Sequence, residues 1–185
     1  DEGYVADSPA TFMGWSPVSV WAIRDANAEH LRTIDTFLEM GKATSVRDLL
    51  RRQDAGGGMP WVNTTAADRR GTVLYADHSV VPHVTNAMKN RCLTVVGTVL
   101  DQVAGLPGLD GTRASGDCAW GTDADAQRPG MLGPRRLPEH LARDWVMNAN
   151  DSFWLPNDHT RLEGFPTIIG CERCERTMRT RMVSQ

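Results

Sequence analysis

From Gly105 to Pro138 the chain runs through Gly, Pro and Asp without an apolar period, so no regular element can be written over this stretch. Cys118 and Trp120 lie inside it and are residue types that seek burial, which makes 105–138 a long, anchored surface excursion and not a free linker. The core must come from the rest of the 185 residues, where the signals are two modest helices and a few strands. The expected fold is therefore α+β, with residues 1–185 forming one segment that packs against further chain segments to complete its core. No internal repeat stands out.

Val18 to Ile23 is apolar enough for a half-buried strand. From Ala28 the period changes: Leu31, Ile34, Phe37 and Leu38 recur at helical spacing, and Gly41 closes the segment. Ser45-Val-Arg-Asp48 opens a second helix in the manner of a capping box, with Leu49 and Leu50 on its buried side and Asp54 to Gly58 ending it. Trp61–Ala67 and Thr72–Tyr75 read as two strands joined through Asp68-Arg-Arg-Gly71 as a hairpin. Val80-Val81 continue the extended character, and Pro82 confines it to an edge or an ending. Glu175 to Gln185 reads as the start of a helix.

A net charge of −3 offers no basic face for nucleic acid. No apolar run reaches membrane-span length, and no secretory leader opens the chain. Its start, Asp1-Glu-Gly-Tyr4, suggests a processed product or a piece of something longer. Four cysteines admit three pairings in an oxidising compartment. A zinc site would need a second C-x-x-C or clustered His beside Cys171 and Cys174, and neither is present, so no metal is expected. His78, His83, His140 and His159 are scattered, and Gly14-Trp-Ser-Pro-Val18 fails the nucleophile elbow at its last position. Two Asn-x-Ser/Thr patterns, at Asn63 and Asn150, are short enough to arise by chance.

One polar cluster invites chemistry. Asn148-Ala-Asn-Asp-Ser152 directly follows the apolar run Trp145-Val-Met147, read as a short strand. By spacing alone it is a turn that caps that strand. The functional alternative is an Asn amide N–H held rigidly and aimed at a carbonyl oxygen, the type of donor that stabilises an oxyanion.

Trp21-Ala-Ile-Arg-Asp-Ala-Asn27, Met59-Pro-Trp-Val-Asn63, Ala66-Ala-Asp-Arg-Arg-Gly71, Tyr75-Ala-Asp-His-Ser-Val-Val-Pro82, Leu109-Asp-Gly-Thr-Arg113 and Val146-Met-Asn-Ala-Asn-Asp-Ser152 resemble, in one order along the chain, the penicillin-acylase family. The likeness is to members that deacylate cyclic lipopeptides and acyl-homoserine lactones. It implies part of a four-layer αββα N-terminal-nucleophile hydrolase, cut from a precursor into α and β chains and incomplete as an isolated chain. In that family the freed N-terminal Ser attacks the amide and its own amine acts as base. This chain resembles the interior of the β chain, so the nucleophile is expected elsewhere.

By the same resemblance, Asn150 is expected at the oxyanion hole and Arg179 as the arginine that orders it, with Arg181 a near-equal alternative. Phe37, Trp61 and Val62 are expected in an apolar acyl slot, although Phe37 could equally be core. Adjacent strand residues point to opposite faces, so Trp61 and Val62 could both meet one ligand only at a strand start, a bulge or through backbone. Cys92 and Cys118 correspond to the family disulfide; Cys171 and Cys174 depart from the family pattern, and a local disulfide there is one option. The implied activity is hydrolysis of a hydrophobic, long-chain acyl amide by a secreted or periplasmic bacterial enzyme. Its partners are the α chain and the remaining β segments, and the chemistry needs no cofactor. The alternatives are a β-lactam acylase taking phenoxyacetyl-type side chains, and a non-catalytic binding domain on the same scaffold.

Overall fold

The computed structural model describes residues 4–6, 13–28 and 31–184. Their elements are β1 (Tyr4–Ala6), β2 (Trp21–Ile23), α1 (Thr33–Met40), α2 (Val46–Gly56), β3 (Thr64–Ala67), β4 (Val73–Ala76), α3 (Asn86–Cys92), α4 (Val95–Ala104), β5 (Glu139–Ala142) and α5 (Met178–Val183). Helices and antiparallel sheet together make the chain α+β. β1 pairs with β2, and β3-β4-β5 form a second antiparallel sheet.

β4 is the centre of the molecule because both of its faces are covered. Leu74 and Ala76 point to one side, where they meet Val46 and Leu50 of α2, with Leu49, Ala66 and Leu141 around them. Tyr75 points to the other side and packs with Phe153, Trp154, Val146, Leu162 and Phe165. The alternation of a strand thus puts a helix on one face and the irregular 145–174 region on the other. α2 starts where Ser45 accepts the Asp48 N–H at 3.2 Å and stops at Gly57, whose φ of +57° suits the left-handed cap. α1 packs on α2 through Thr36, which is fully buried.

Several sequence expectations change. The stripe Leu31, Ile34, Phe37 and Leu38 is helical from Thr33 onward but faces outward, because α1 meets α2 through Thr36 beside Gly56. The strand expected over Val18–Ile23 is only Trp21–Ile23, and its Val18, Val20 and Ile23 side chains are exposed. The strand expected from Trp61 begins at Thr64, because Pro60-Trp61-Val62 make a tight turn in which the Val62 N–H donates to the Pro60 carbonyl at 2.5 Å. Trp145–Met147 is not a strand; its backbone is spent within its own loop, the Met147 N–H donating to Pro156 O at 2.7 Å. α3, α4 and β5 were not foreseen from the sequence.

Residues 105–138 hold 3-10 turns at Gly111–Arg113 and Pro134–Arg136. The Cys92–Cys118 disulfide, the Asp110 N–H on Cys92 O (2.8 Å) and the Leu132 N–H on Val81 O (3.0 Å) tie the segment down. Arg128 reaches back to the Gly57 and Ala26 carbonyls. Cys118 belongs to a cluster with Val84, Met88 and Cys92, against which Trp120 packs.

Candidate active site

The face of β4 that carries Tyr75 positions the Asn150 loop. Tyr75 lines a small crevice with Met147, Asn148, Ala149, Asp151, Ser152, Trp154, Leu155 and Thr180; Asn150 is exposed and does not belong to its lining. Asn150 has a φ of +56°, a left-handed conformation that Asn tolerates better than most residues. Its N–H donates to Asn148 Oδ1 at 2.8 Å, so the two asparagines build the turn between them.

The Asn150 side chain is oriented by charge. Arg179 Nη2 donates to Asn150 Oδ1 at 3.3 Å. A guanidinium has donors only, so it selects the oxygen end of the amide and leaves the NH2 end to donate elsewhere. Arg181 takes no part in this contact, since its Nε donates to the Arg176 carbonyl and its Nη2 to Glu175, both at 3.0 Å.

Arg179 is held in turn by α5. Thr177 caps that helix by accepting the Thr180 N–H. Asp151 Oδ2 accepts the Thr180 hydroxyl at 2.6 Å and the Thr177 N–H at 3.3 Å, fastening the start of α5 to the residue after Asn150. Burial pushes the Asp151 carboxyl upward, but hydrogen bonds from Thr180, Ser152 N–H and Thr177 outweigh it and hold it below the usual carboxylate range. Asp151, Thr177 and Thr180 are organising residues that the sequence did not single out. Asp151 lay within the motif, whereas its partners are 26 and 29 residues away along the chain.

Trp61 and Val62 are tied to the same sheet. Tyr75, which lines the crevice, donates its hydroxyl to Asn63 Oδ1 at 2.5 Å, and Ser79 donates to the Val62 carbonyl at 3.4 Å. Burial raises the Tyr75 phenol far above its ordinary value, so it stays a neutral donor. Because Trp61 and Val62 precede β3 in a turn, strand alternation does not set their directions. Both are exposed, at 80% and 42%, as is Phe37 at 50% on the outer face of α1. The structure brings Asn150 and Arg179 into contact and leaves Phe37, Trp61 and Val62 as exposed apolar side chains on other elements.

No group of three or more His, Cys, Asp or Glu residues able to hold a metal ion occurs among the described residues. Among them, too, no helix is long and apolar enough to cross a membrane.

Over residues 2–185 the chain matches the family model described as penicillin amidase. It is 47% identical over 180 residues to the aculeacin-A acylase of Actinoplanes utahensis, covering 97% of this chain and 22% of that protein. It is 34% identical over 171 residues to the acyl-homoserine lactone acylase PvdQ of Pseudomonas fluorescens, covering 91% of this chain and 21% of that protein. Against the Pseudomonas putida PvdQ it is 34% identical over 158 residues, covering 85% and 19%. The chain spans about a fifth of the length of these curated relatives.

Proposed function

The chain belongs to the penicillin amidase family, and from that premise we propose that it is a β-chain segment of an acylase with the four-layer αββα N-terminal-nucleophile scaffold. The whole enzyme hydrolyses the amide between a hydrophobic, long-chain acyl group and a polar amine nucleus, of the cyclic-lipopeptide or homoserine-lactone kind. The nucleophile is an N-terminal Ser on a segment outside these 185 residues, and its α-amine takes the hydroxyl proton. Attack turns the carbonyl oxygen into an oxyanion, which the Asn150 amide N–H stabilises together with a backbone N–H from another segment. The leaving amine departs with a proton, and water then releases the acid from the acyl-enzyme.

The observation that carries this reading is the Arg179–Asn150 contact. It turns the oxygen of the amide toward the guanidinium and leaves the NH2 to donate, which is the polarity an oxyanion requires. Phe37, Trp61 and Val62 line the acyl slot, and their exposure in this segment fits surfaces that a bound chain and neighbouring segments would cover. Each buried methylene of a fatty chain contributes about 0.8 kcal/mol, so the slot must be apolar. The α chain and the remaining β segments are the partners. Export to an oxidising compartment, periplasmic or extracellular, agrees with disulfides at Cys92–Cys118 and Cys171–Cys174.

The test uses the assembled protein with octanoyl, palmitoyl and phenoxyacetyl amides. Hydrolysis of the fatty amides is expected, and Asn150→Ala should lower kcat by about 100- to 1,000-fold with assembly intact. Turnover of phenoxyacetyl amides alone would make the enzyme a β-lactam-type acylase. No turnover, with no companion chain beginning in Ser, Thr or Cys, would make the chain a binding domain.

A further inference from the structure

We propose that the Cys171–Cys174 disulfide is a redox-sensitive positioning element for the Asn150–Arg179 pair. The proposal rests on Asn150 being the oxyanion donor. The bond closes a four-residue loop, Cys-Glu-Arg-Cys, that lies against the Asn150 loop and three residues before the cap of α5.

Each residue of that loop is fastened to the site's surroundings. The Cys171 carbonyl accepts the Ser152 hydroxyl at 2.6 Å, which grips the Asn150 turn two residues after Asn150 itself. Glu172 Oε1 accepts the Phe165 N–H at 2.8 Å. Arg173, held at a φ of +55°, makes a two-pronged pair with Glu163 at 2.8 and 2.7 Å. Cys174 packs against the Tyr75, Phe153 and Trp154 cluster, and its sulfur lies 3.5 Å from the same Cys171 carbonyl that holds Ser152. The fit is close: a Cβ on Gly170 would come within 2.6 Å of Ser152 Oγ.

The segment 171–180 therefore holds the Asn150 turn from two directions. The disulfide loop grips Ser152, and Thr177 with Thr180 grips Asp151. Cutting the sulfur–sulfur bond frees the Cys171 carbonyl and the three residues leading to Thr177, and with them the placement of Arg179 on the Asn150 oxygen. Within this chain the bond is also the more accessible of the two, and the labelling order in the assembled enzyme tests whether it stays so. Cys171 is exposed, whereas Cys92 and Cys118 are 0% and 4% exposed. A thiolate must reach a sulfur to exchange with it, so access separates the two disulfides.

Reduction by a dithiol such as dithiothreitol is balanced. One reagent thiolate attacks a Cys sulfur and the Cys171–Cys174 bond breaks. The reagent's second thiol then displaces the mixed disulfide, leaving two cysteine thiols and the oxidised cyclic reagent.

The experiment uses the assembled enzyme. Mild dithiothreitol followed by iodoacetamide should label Cys171 and Cys174 before Cys92 and Cys118, as read by peptide mass. Turnover of a fatty acyl amide should then fall by about 10- to 100-fold in kcat with KM within about twofold, as expected when a catalytic donor is displaced by about an ångström. Before alkylation, reoxidation should restore kcat. Cys171→Ser/Cys174→Ser should show the lowered kcat from the outset and ignore the dithiol, and in an Arg179→Ala background reduction should cost nothing further. Full turnover by wild-type enzyme alkylated at both cysteines overturns the proposal, a result that can be read even where the double variant fails to assemble. Asn150→Ala run in parallel separates the two ideas. Unimpaired turnover there removes the Asn150 reading itself, whereas a loss there with none on reduction removes only the role of the disulfide.

Discussion

Arg179 and Asn150 illustrate how much a single donor–acceptor inventory decides. Either end of an Asn amide can face a polar neighbour, but beside a guanidinium only the oxygen can, and the NH2 is left free. The resemblance names both residues, with Arg181 a near-equal alternative to Arg179, and only the fold sends Arg181 to Glu175. Tyr75 works at the same scale: it lines the crevice beside Asn148, Ala149 and Asp151 while its hydroxyl holds Asn63, next to Val62. Tyr75→Phe keeps the ring and removes the hydroxyl, leaving the Asn63 carbonyl without that partner. We expect a loss of about 1–3 kcal/mol in urea unfolding of the assembled protein. A variant as stable as the parent would show that the Asn63 link contributes nothing.

Among the elements, α1 and α2 show what periodicity can and cannot convey. Both were legible as helices from spacing and caps, and Ser45 and Gly41 do flank them. The face was legible only for α2. α1 turns its apolar stripe outward because the small residue Thr36 fits against Gly56, and no single-sequence pattern records that neighbour. α4 is not legible in the sequence because Val95, Val96 and Val99 are β-branched, a composition that favours strands, while its Thr94 and Gly105 caps act locally. α5 carries a pH prediction. Asp151 has its carboxyl depressed in the fold, so its clamp on Thr177 and Thr180 is fully present above the ordinary value of 3.8 and is lost as pH falls through the lower folded value. Turnover should drop along that acidic limb. Asp151→Asn should lower turnover at neutral pH and flatten the limb; an unchanged limb would assign it to another group. The two disulfides also differ at this scale. By loop-closure entropy the bond across 26 residues restricts the unfolded chain by about 3.5 kcal/mol and the one across 3 by about 2 kcal/mol, so the shorter one matters more for local order.

For the whole molecule, the thin core expected from the sequence agrees with the surface. Along α4, Val95 and Val103 are 85% and 75% exposed and lie with Val99 on one face; Ile34 and Leu38 are exposed on α1, and Met178 and Met182 on α5. Each of these helices leaves apolar side chains uncovered in this chain, which we expect a neighbouring protein surface to cover. The isolated 185-residue chain should self-associate and enhance the fluorescence of an apolar dye, and the assembled protein should do neither; a monomeric, dye-silent fragment would contradict this. Legible in the sequence alone were the family, the capped start of α2, the central hairpin and the names of the polar residues, because motifs, caps and turns are local and survive in one dimension. Only the folded packing sets which face of α1 is buried, puts Trp61 and Val62 in a turn, and brings Thr177, Thr180 and Cys171 onto the Asn150 loop. Those outcomes depend on contacts between residues tens of positions apart, whose geometry no local pattern encodes.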